Sequence, residues 1–284
     1  MCYISGMSTT KFKKILTCFP WIIVMISVAV LGLYEAGLIT FEKKHKSPLT
    51  EVEFILPLIP LEDVTYSQNM LLVNNEHPLP EEFSPDIVFY RDTDVPMNSA
   101  IVEDYGRMSD YVREDMNDHL YVSSSYRSFE DQERVYNEEG PEVAAVPGCS
   151  EHQTGLALDV YVMYFAGSAF PDSAVGQFVI NNCSQFGFII RYPEGAQDIT
   201  GFSYEPWHIR YVGLPHSLII TEEGITLEEY IDLFEIGRWY SYEDYVIARL
   251  PEDDLRIPTE LFEYEITVSP DNTGYVFVTV HITE

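Results

Sequence analysis

The chain has 284 residues, 46% of them apolar, enough to bury a sizeable core, which excludes disorder as the main state. Sixteen Lys and Arg against 46 Asp and Glu give a formal charge of −30, and this excludes a broad nucleic-acid surface, which needs clustered cations. The charge is unevenly placed: residues 1–46 hold six Lys against Glu35 and Glu42, whereas residues 47–284 hold ten Arg, no Lys and 44 acids.

In chain order, the first feature is Ile15 to Tyr34, twenty residues without a charge. As a helix this run is about 30 Å long, the thickness of a bilayer core. Lys11, Lys13 and Lys14 precede it and Lys43, Lys44 and Lys46 follow it, so flanking charge does not set its orientation. Its length favours an uncleaved single-pass anchor after a short leader, together residues 1–46. A cleaved signal peptide, giving a secreted protein, is the alternative offered by Ser27-Val28-Ala29. Residues 47–70, punctuated by Pro48, Pro57 and Pro60, read as a linker with short extended pieces.

A body of about 71–237 follows. Ile101, Tyr105, Met108, Val112 and Met116 recur at helical spacing and predict an amphipathic helix over about 99–118. Leu120 to Ser123 alternates as a strand. Ser128 is placed to cap a helix carrying Gln132, Val135 and Tyr136. Pro141, Pro147 and Gly148 mark a loop, and Leu156 to Met163 reads as a buried strand. Val175, Phe178, Val179, Asn182 and Phe186 form a helical stripe that stops at Gly187. Phe188 to Tyr192 and Trp207 to Val212 predict two more strands, and Thr226 with Glu229 predicts a capping box for a helix to about Phe234. Beyond Gly237, Tyr264 to Val268 and Tyr275 to Ile282 flank Pro270-Asp271-Asn272-Thr273-Gly274 as strand, turn, strand. Residues 238–284 thus read as a small all-β appendage, suited to packing or to contact with cell-wall or protein partners. The fold class is α+β, with a central, mainly antiparallel sheet and flanking helices.

Chemistry concentrates in Ser150-Glu151-His152-Gln153-Thr154-Gly155-Leu156-Ala157-Leu158-Asp159 and in Glu205-Pro206-Trp207-His208. A catalytic zinc takes three protein ligands, leaves one position open, and needs a nearby carboxylate to accept a proton and a cation to hold an oxyanion. His152 and Asp159 would lie over about 20 Å apart on a straight strand. They meet at one ion only if Gln153-Thr154-Gly155 folds the chain back. Asp159 interrupts an apolar run, where a carboxylate needs a partner. Glu205 and His208 are three apart, so one turn lets both face the same site. Cys149 and Cys183 either pair, which an outside location permits, or stay free. Cys149-x-x-His152 is also a metal-like spacing, and a thiolate there would close the site. Arg191 and Arg210 either receive a substrate carboxylate or are solvated strand residues.

Taken together, Tyr126-Arg127-Ser128 with Gln132, Ser150-Glu151-His152 with Gly155, Ala157 and Asp159, and Glu205-x-Trp207-His208 with Arg210-Tyr211-Val212-Gly213 resemble the VanY-type zinc D-alanyl-D-alanine carboxypeptidases. VanX-type dipeptidases and related L,D-carboxypeptidases share that site. The resemblance runs from about Leu71 to about Phe234 and, more weakly, into the β tail. It implies a hedgehog/D,D-peptidase-like fold and Zn2+ bound by His152, Asp159 and His208. It implies Glu205 as general base and later proton donor to the leaving amine, with Arg127 holding the oxyanion, unless Arg127 is in a salt bridge. Gln132 would support substrate or oxyanion, or cap a backbone group; Ser150 would bind the substrate's terminal group, or cap the turn. The family pattern does not use Cys149 as a ligand, which leaves it a disulfide half or an inert thiol.

The expectation is therefore a membrane-anchored, extracytoplasmic zinc carboxypeptidase that removes the terminal D-alanine from peptidoglycan stem peptides. With the substrate outside, the leader lies inside. Two rivals are an L,D-carboxypeptidase acting on tetrapeptide stems and a catalytically silent zinc module that recognises wall peptides. A silent module needs neither Glu205 nor Arg127.

Overall fold

The computed structural model describes residues 47–54, 58–61, 64–141 and 144–283. The expected anchor at 15–34 and both Lys clusters lie outside them. Among the described residues no helix is long and apolar enough to cross a membrane.

Strands β1 (Thr50–Val52), β2 (Leu58–Pro60) and β3 (Thr65–Tyr66) come first. Paired strands β4 (Ile87–Phe89) and β5 (Pro96–Asn98) lead into helix α1 (Val102–Glu114), strand β6 (Tyr121–Ser124) and helix α2 (Phe129–Glu139). Strand β7 (Ala157–Tyr161), helix α3 (Ala174–Asn182) and strands β8 (Phe188–Tyr192) and β9 (Glu205–Tyr211) complete the site-bearing layer. Helices α4 (His216–Glu223) and α5 (Leu227–Leu233) precede β10 (Trp239–Tyr242), β11 (Tyr245–Pro251), β12 (Arg256–Pro258), β13 (Glu265–Pro270) and β14 (Tyr275–His281).

The α+β class is as expected. Its centre is an antiparallel sheet in the order β6-β7-β9-β8. Strand alternation gives this sheet two different faces. Leu158 and Val160 of β7, with Ile209 and Phe188, are buried against the α1 stripe of Tyr105, Met108 and Val112 and against Val175 and Val179 of α3. The intervening residues of β7, Asp159 among them, belong to the opposite face. Helix boundaries follow local chemistry. The Ser128 hydroxyl accepts a hydrogen bond from the Asp131 amide at the start of α2, and Thr226 and Glu229 form the capping box of α5. The predicted stripe through Phe186 is α3 plus one 3-10 turn, which ends at Gly187 with φ of +80°.

The C-terminal β part is present and is joined by earlier strands. The sheet order is β1-β10-β11-β14-β13-β3, and β2 pairs with β12. The stretch 47–70, read as a linker, therefore joins the sheet it was expected to precede through β1 and β3, and pairs with β12 through β2. Ile219 and Ile220 of α4 and Leu227, Tyr230 and Ile231 of α5 share one core with Tyr242, Ile247 and Phe277 of that sheet. Residues 47–284 form one compact unit.

His216 fastens this second core. Its Nδ1 lies 2.7 Å from the Tyr230 hydroxyl and its Nε2 lies 3.0 Å from Thr279 Oγ1. Burial pushes the imidazole down from 6.5 to about 3. The folded protein thus leaves His216 neutral where the unfolded chain takes up a proton. Stability is undiminished above about pH 6.5 and falls as the pH drops from there toward 3. Between pH 7.5 and pH 5 this residue should cost about 2 kcal/mol. Urea unfolding of the wild type and of His216→Gln at both pH values checks it. An equal pH-dependent loss in both proteins would dismiss His216 as the cause.

Candidate metal centre

Three neighbouring strands deliver side chains to one level. Asp159 of β7 lies opposite His208 of β9 on one side and opposite Ser124 of β6 on the other. His152 arrives from a 3-10 turn, Glu151–Thr154, that ends at Gly155 with φ of +68°. That left-handed residue reverses the chain, so seven positions of sequence close to 3.4 Å between His152 Nε2 and Asp159 Oδ2. His208 Nδ1 lies 3.0 Å from Asp159 Oδ1. One donor atom from each of the three residues falls within 4.8 Å of the others.

This set fits zinc. Bonds of about 2.0–2.1 Å in a tetrahedron put neighbouring ligand atoms about 3.3 Å apart, close to both separations. Burial alone would raise Asp159, but the two imidazoles hold it in the carboxylate form. Burial disfavours the His208 cation, yet Asp159 and Glu151 outweigh it and push the ring up to about 9. The pocket is therefore built for a cation, the role a metal would take over from the proton.

Gly155 admits no side chain. A Cβ there would sit 2.6 Å from Ile87 Cδ1 and 2.8 Å from the Asn98 backbone nitrogen. Gly155→Ala should cost about 2–4 kcal/mol, combining a left-handed penalty with overpacking, and should loosen metal binding by displacing His152. Urea midpoints and zinc titration measure both. Unchanged values would mean that the turn relaxes freely.

Glu205 shares the cleft through a device other than the expected helical turn. Residues three apart in a regular strand face opposite sides. In β9 the register slips: Ile190 pairs with Ile209, yet Tyr192 pairs with Glu205, which leaves two extra residues in β9. The bulge swings Glu205 Oε2 to 3.9 Å from His208 Nδ1. Burial raises the Glu205 carboxyl above its ordinary value, with His208 opposing and Asp159 reinforcing that shift.

Arg127 enters between β6 and α2. Its guanidinium donates to Gln132 Oε1 and to Ser124 Oγ, both at 2.8 Å, and its backbone amide donates to the His152 carbonyl. Both side-chain partners are neutral, and among the described residues no carboxylate forms an ion pair with it, so its charge remains for the cleft. Gln132 is buried in the cleft wall, where it accepts from Arg127 and donates to the Ala145 carbonyl. Ser150 is buried at the head of the 3-10 turn, yet its side chain makes no capping bond. These residues, with Tyr192, Phe202 and Trp207, line a cleft of about 240 Å³.

One expectation is corrected and one open alternative is decided. Arg191 and Arg210 are neither solvated nor open to substrate: both are fully buried and donate to Glu151 Oε1 at 2.8 and 2.6 Å. Arg191 also grips Glu228 with two bonds, and Arg210 donates to the carbonyls of Asn69 and Leu71. Cys149 and Cys183 are free, buried thiols, and burial raises both, Cys183 to about 12. Cys149 is not part of the convergent donor set.

Glu151 is the functional group that sequence reading passed over. Burial alone would raise it, but Arg191 and Arg210 hold it well below the carboxylate range. Its second oxygen lies 3.6 Å from His208 Nε2, and both atoms are buried without another partner. Closed to hydrogen-bonding distance, such a carboxylate would fix the tautomer of a metal-bound histidine. Its sequence signal is its place in the Ser150-Glu151-His152 motif, which was given no role of its own.

The family model described as D-alanyl-D-alanine carboxypeptidase (VanY) matches residues 94–214. A D-alanyl-D-alanine carboxypeptidase of Enterococcus faecium is 35% identical over 240 residues, covering 77% of this chain and 77% of the relative. The crystal structure of the vancomycin-resistance D,D-dipeptidase VanXYg, in complex with a D-Ala-D-Ala phosphinate analogue, is 27% identical with a TM-score of 0.64. It covers 75% of this chain and 94% of its own. A mutant of the vancomycin-resistance D,D-pentapeptidase VanY in complex with Zn(II) is 31% identical with a TM-score of 0.51, covering 57% of this chain and 98% of its own.

Proposed function

The chain belongs to the VanY family of D-alanyl-D-alanine carboxypeptidases, and from that premise we propose that it is a zinc D,D-carboxypeptidase that removes the terminal D-alanine from peptidoglycan stem peptides. The observation that carries this reading is the meeting of His152, Asp159 and His208 with Glu205 and Arg127 in one cleft. His152 Nε2, His208 Nδ1 and the Asp159 carboxylate would hold the zinc. Bound there, Zn2+ supplies Lewis-acid polarisation and lowers the pKa of water.

The protein's own groups do the rest. Glu205, partly buried and raised, takes the proton of the attacking water and returns it to the leaving amine. Arg127 faces the oxygen that gains charge, and its planar, permanently charged fork suits that task. Gln132 and Ser124 hold the fork in place. The uncapped Ser150 hydroxyl binds the terminal group of the substrate. Tyr192 stacks on Phe202 and tilts against His208, a wall that limits water. The uncharged run Ile15 to Tyr34 supports a membrane-anchored enzyme with its leader inside and its cleft facing the wall.

Mass spectrometry of stem pentapeptide and tetrapeptide after incubation with the zinc-loaded full chain tests the reading. Loss of one alanine from the pentapeptide alone is expected. Trimming of the tetrapeptide would move the enzyme to the L,D class, and no cleavage of either would overturn it.

A further inference from the structure

A carboxypeptidase substrate is asymmetric about the scissile bond. One residue leaves, and the remainder of the peptide lies on the other side. The 240 Å³ cleft takes the reacting end, so any surface continuous with it serves the long side.

Such a surface exists on the sheet face that carries Asp159. Val160 is buried in the core, so Asp159 and Tyr161 both project from the opposite face of β7, about 7 Å apart along the strand. Tyr161 pairs with Tyr121 of β6, and the two rings stack with centroids 5.2 Å apart. Tyr121 in turn stacks on the exposed ring of His119 at 5.9 Å. Beyond Tyr161, Met163 is 49% exposed and Tyr164 is 93% exposed. Strands β7 and β9 are antiparallel with Asp159 opposite His208, so moving from Asp159 to Tyr161 moves along β9 from His208 toward Glu205. The row therefore starts two residues beyond Asp159, toward the Glu205 end of β9, and runs across β6 to the exposed ring of His119. Two stacked, half-buried tyrosine rings and an exposed imidazole on the sheet face that carries Asp159 offer a contact surface.

We propose that Tyr161, Tyr121 and His119 form a shelf that binds the stem peptide on the N-terminal side of the scissile bond and so sets a preference for long over short substrates. The proposal rests on the carboxypeptidase reading above. The ring edges and the outer ring face offer apolar contact to peptide methylene groups.

The experiment compares N-acetyl-D-Ala-D-Ala with the full stem pentapeptide as substrates of the zinc-loaded full chain. The variants are Tyr161→Leu, which keeps an apolar strand residue, and His119→Ala, at the exposed end, where folding is least at risk. The ratio of kcat/KM, pentapeptide over short substrate, should fall about five- to tenfold in Tyr161→Leu, the size of one aromatic contact, and less in His119→Ala. The fall should appear in KM. Calorimetry with the pentapeptide in a Glu205→Gln background should show the same weakening of Kd on adding Tyr161→Leu, without turnover. Equal falls for both substrates, or an unchanged ratio and Kd, would overturn the shelf and leave the carboxypeptidase standing. No binding of the pentapeptide to Glu205→Gln at all would overturn both.

Discussion

Glu205→Gln should lower turnover of the stem pentapeptide by about 10³-fold while the protein keeps one zinc per chain. The expectation follows from position. Glu205 is not among the three convergent donors, and its Oε2 lies 3.9 Å from His208 Nδ1. Glutamine keeps the size and the outward hydrogen-bonding capacity but cannot take a proton from water. The remaining rate comes from the metal and Arg127, which the substitution leaves in place. Zinc content by elemental mass spectrometry and steady-state turnover are the paired readouts. Lost zinc would make Glu205 a ligand. Retained turnover would make another group the base. A wild type that binds stem peptide without turnover, with binding unchanged in Glu205→Gln, would instead revive the binding module.

The same region shows what a single sequence conveys. The donor set was legible only as a joint pattern, through the resemblance that Ser150-Glu151-His152, Asp159 and Glu205-x-Trp207-His208 carry together; singly, Asp159 showed an interrupted apolar strand and no more. The reversal at Gly155 was legible because only a left-handed residue lets His152 meet Asp159. The route by which Glu205 reaches the site was not. A bulge is a mismatch between two strands, and β8 lies outside the motif that contains Glu205. Helix α4 was also missed. His216, Ser217, Ile219 and Ile220 are all buried, so α4 has no polar stripe to set a period. Strands β1 and β3 were read as linker pieces because strands of two or three residues carry no periodicity. Only their partners in β10 and β13, nearly 200 residues away, define them.

Glu151 was illegible for a related reason: in a chain with 46 acids, its value lies wholly in partners at positions 191, 208 and 210. Glu151→Gln should destabilise the protein by about 3–5 kcal/mol, because it leaves two buried guanidiniums facing one neutral amide. Glu228 still answers Arg191, but Arg210 would retain only backbone carbonyls. The same change should weaken zinc binding about 10–100-fold, since the amide no longer holds the His208 Nε2 proton with a charge. Removing the exposed Arg238–Glu51 pair serves as the control and should change neither quantity measurably, because solvent already screens it. Urea unfolding of the metal-free protein reads the first effect, and competition with a chromogenic chelator reads the second. Lost stability with unchanged zinc affinity would make the cluster a scaffold only. Unchanged stability would mean that water or a rearranged Arg210 replaces the lost charge. If both effects appear, the Arg191–Glu151–Arg210 cluster links the two halves of the compact unit to the metal. One of its guanidiniums is anchored at α5 through Glu228 and the other at the Asn69 and Leu71 backbone ahead of β4, while the free oxygen of Glu151 meets His208. The second core would then be part of what keeps the histidine in its coordinating geometry.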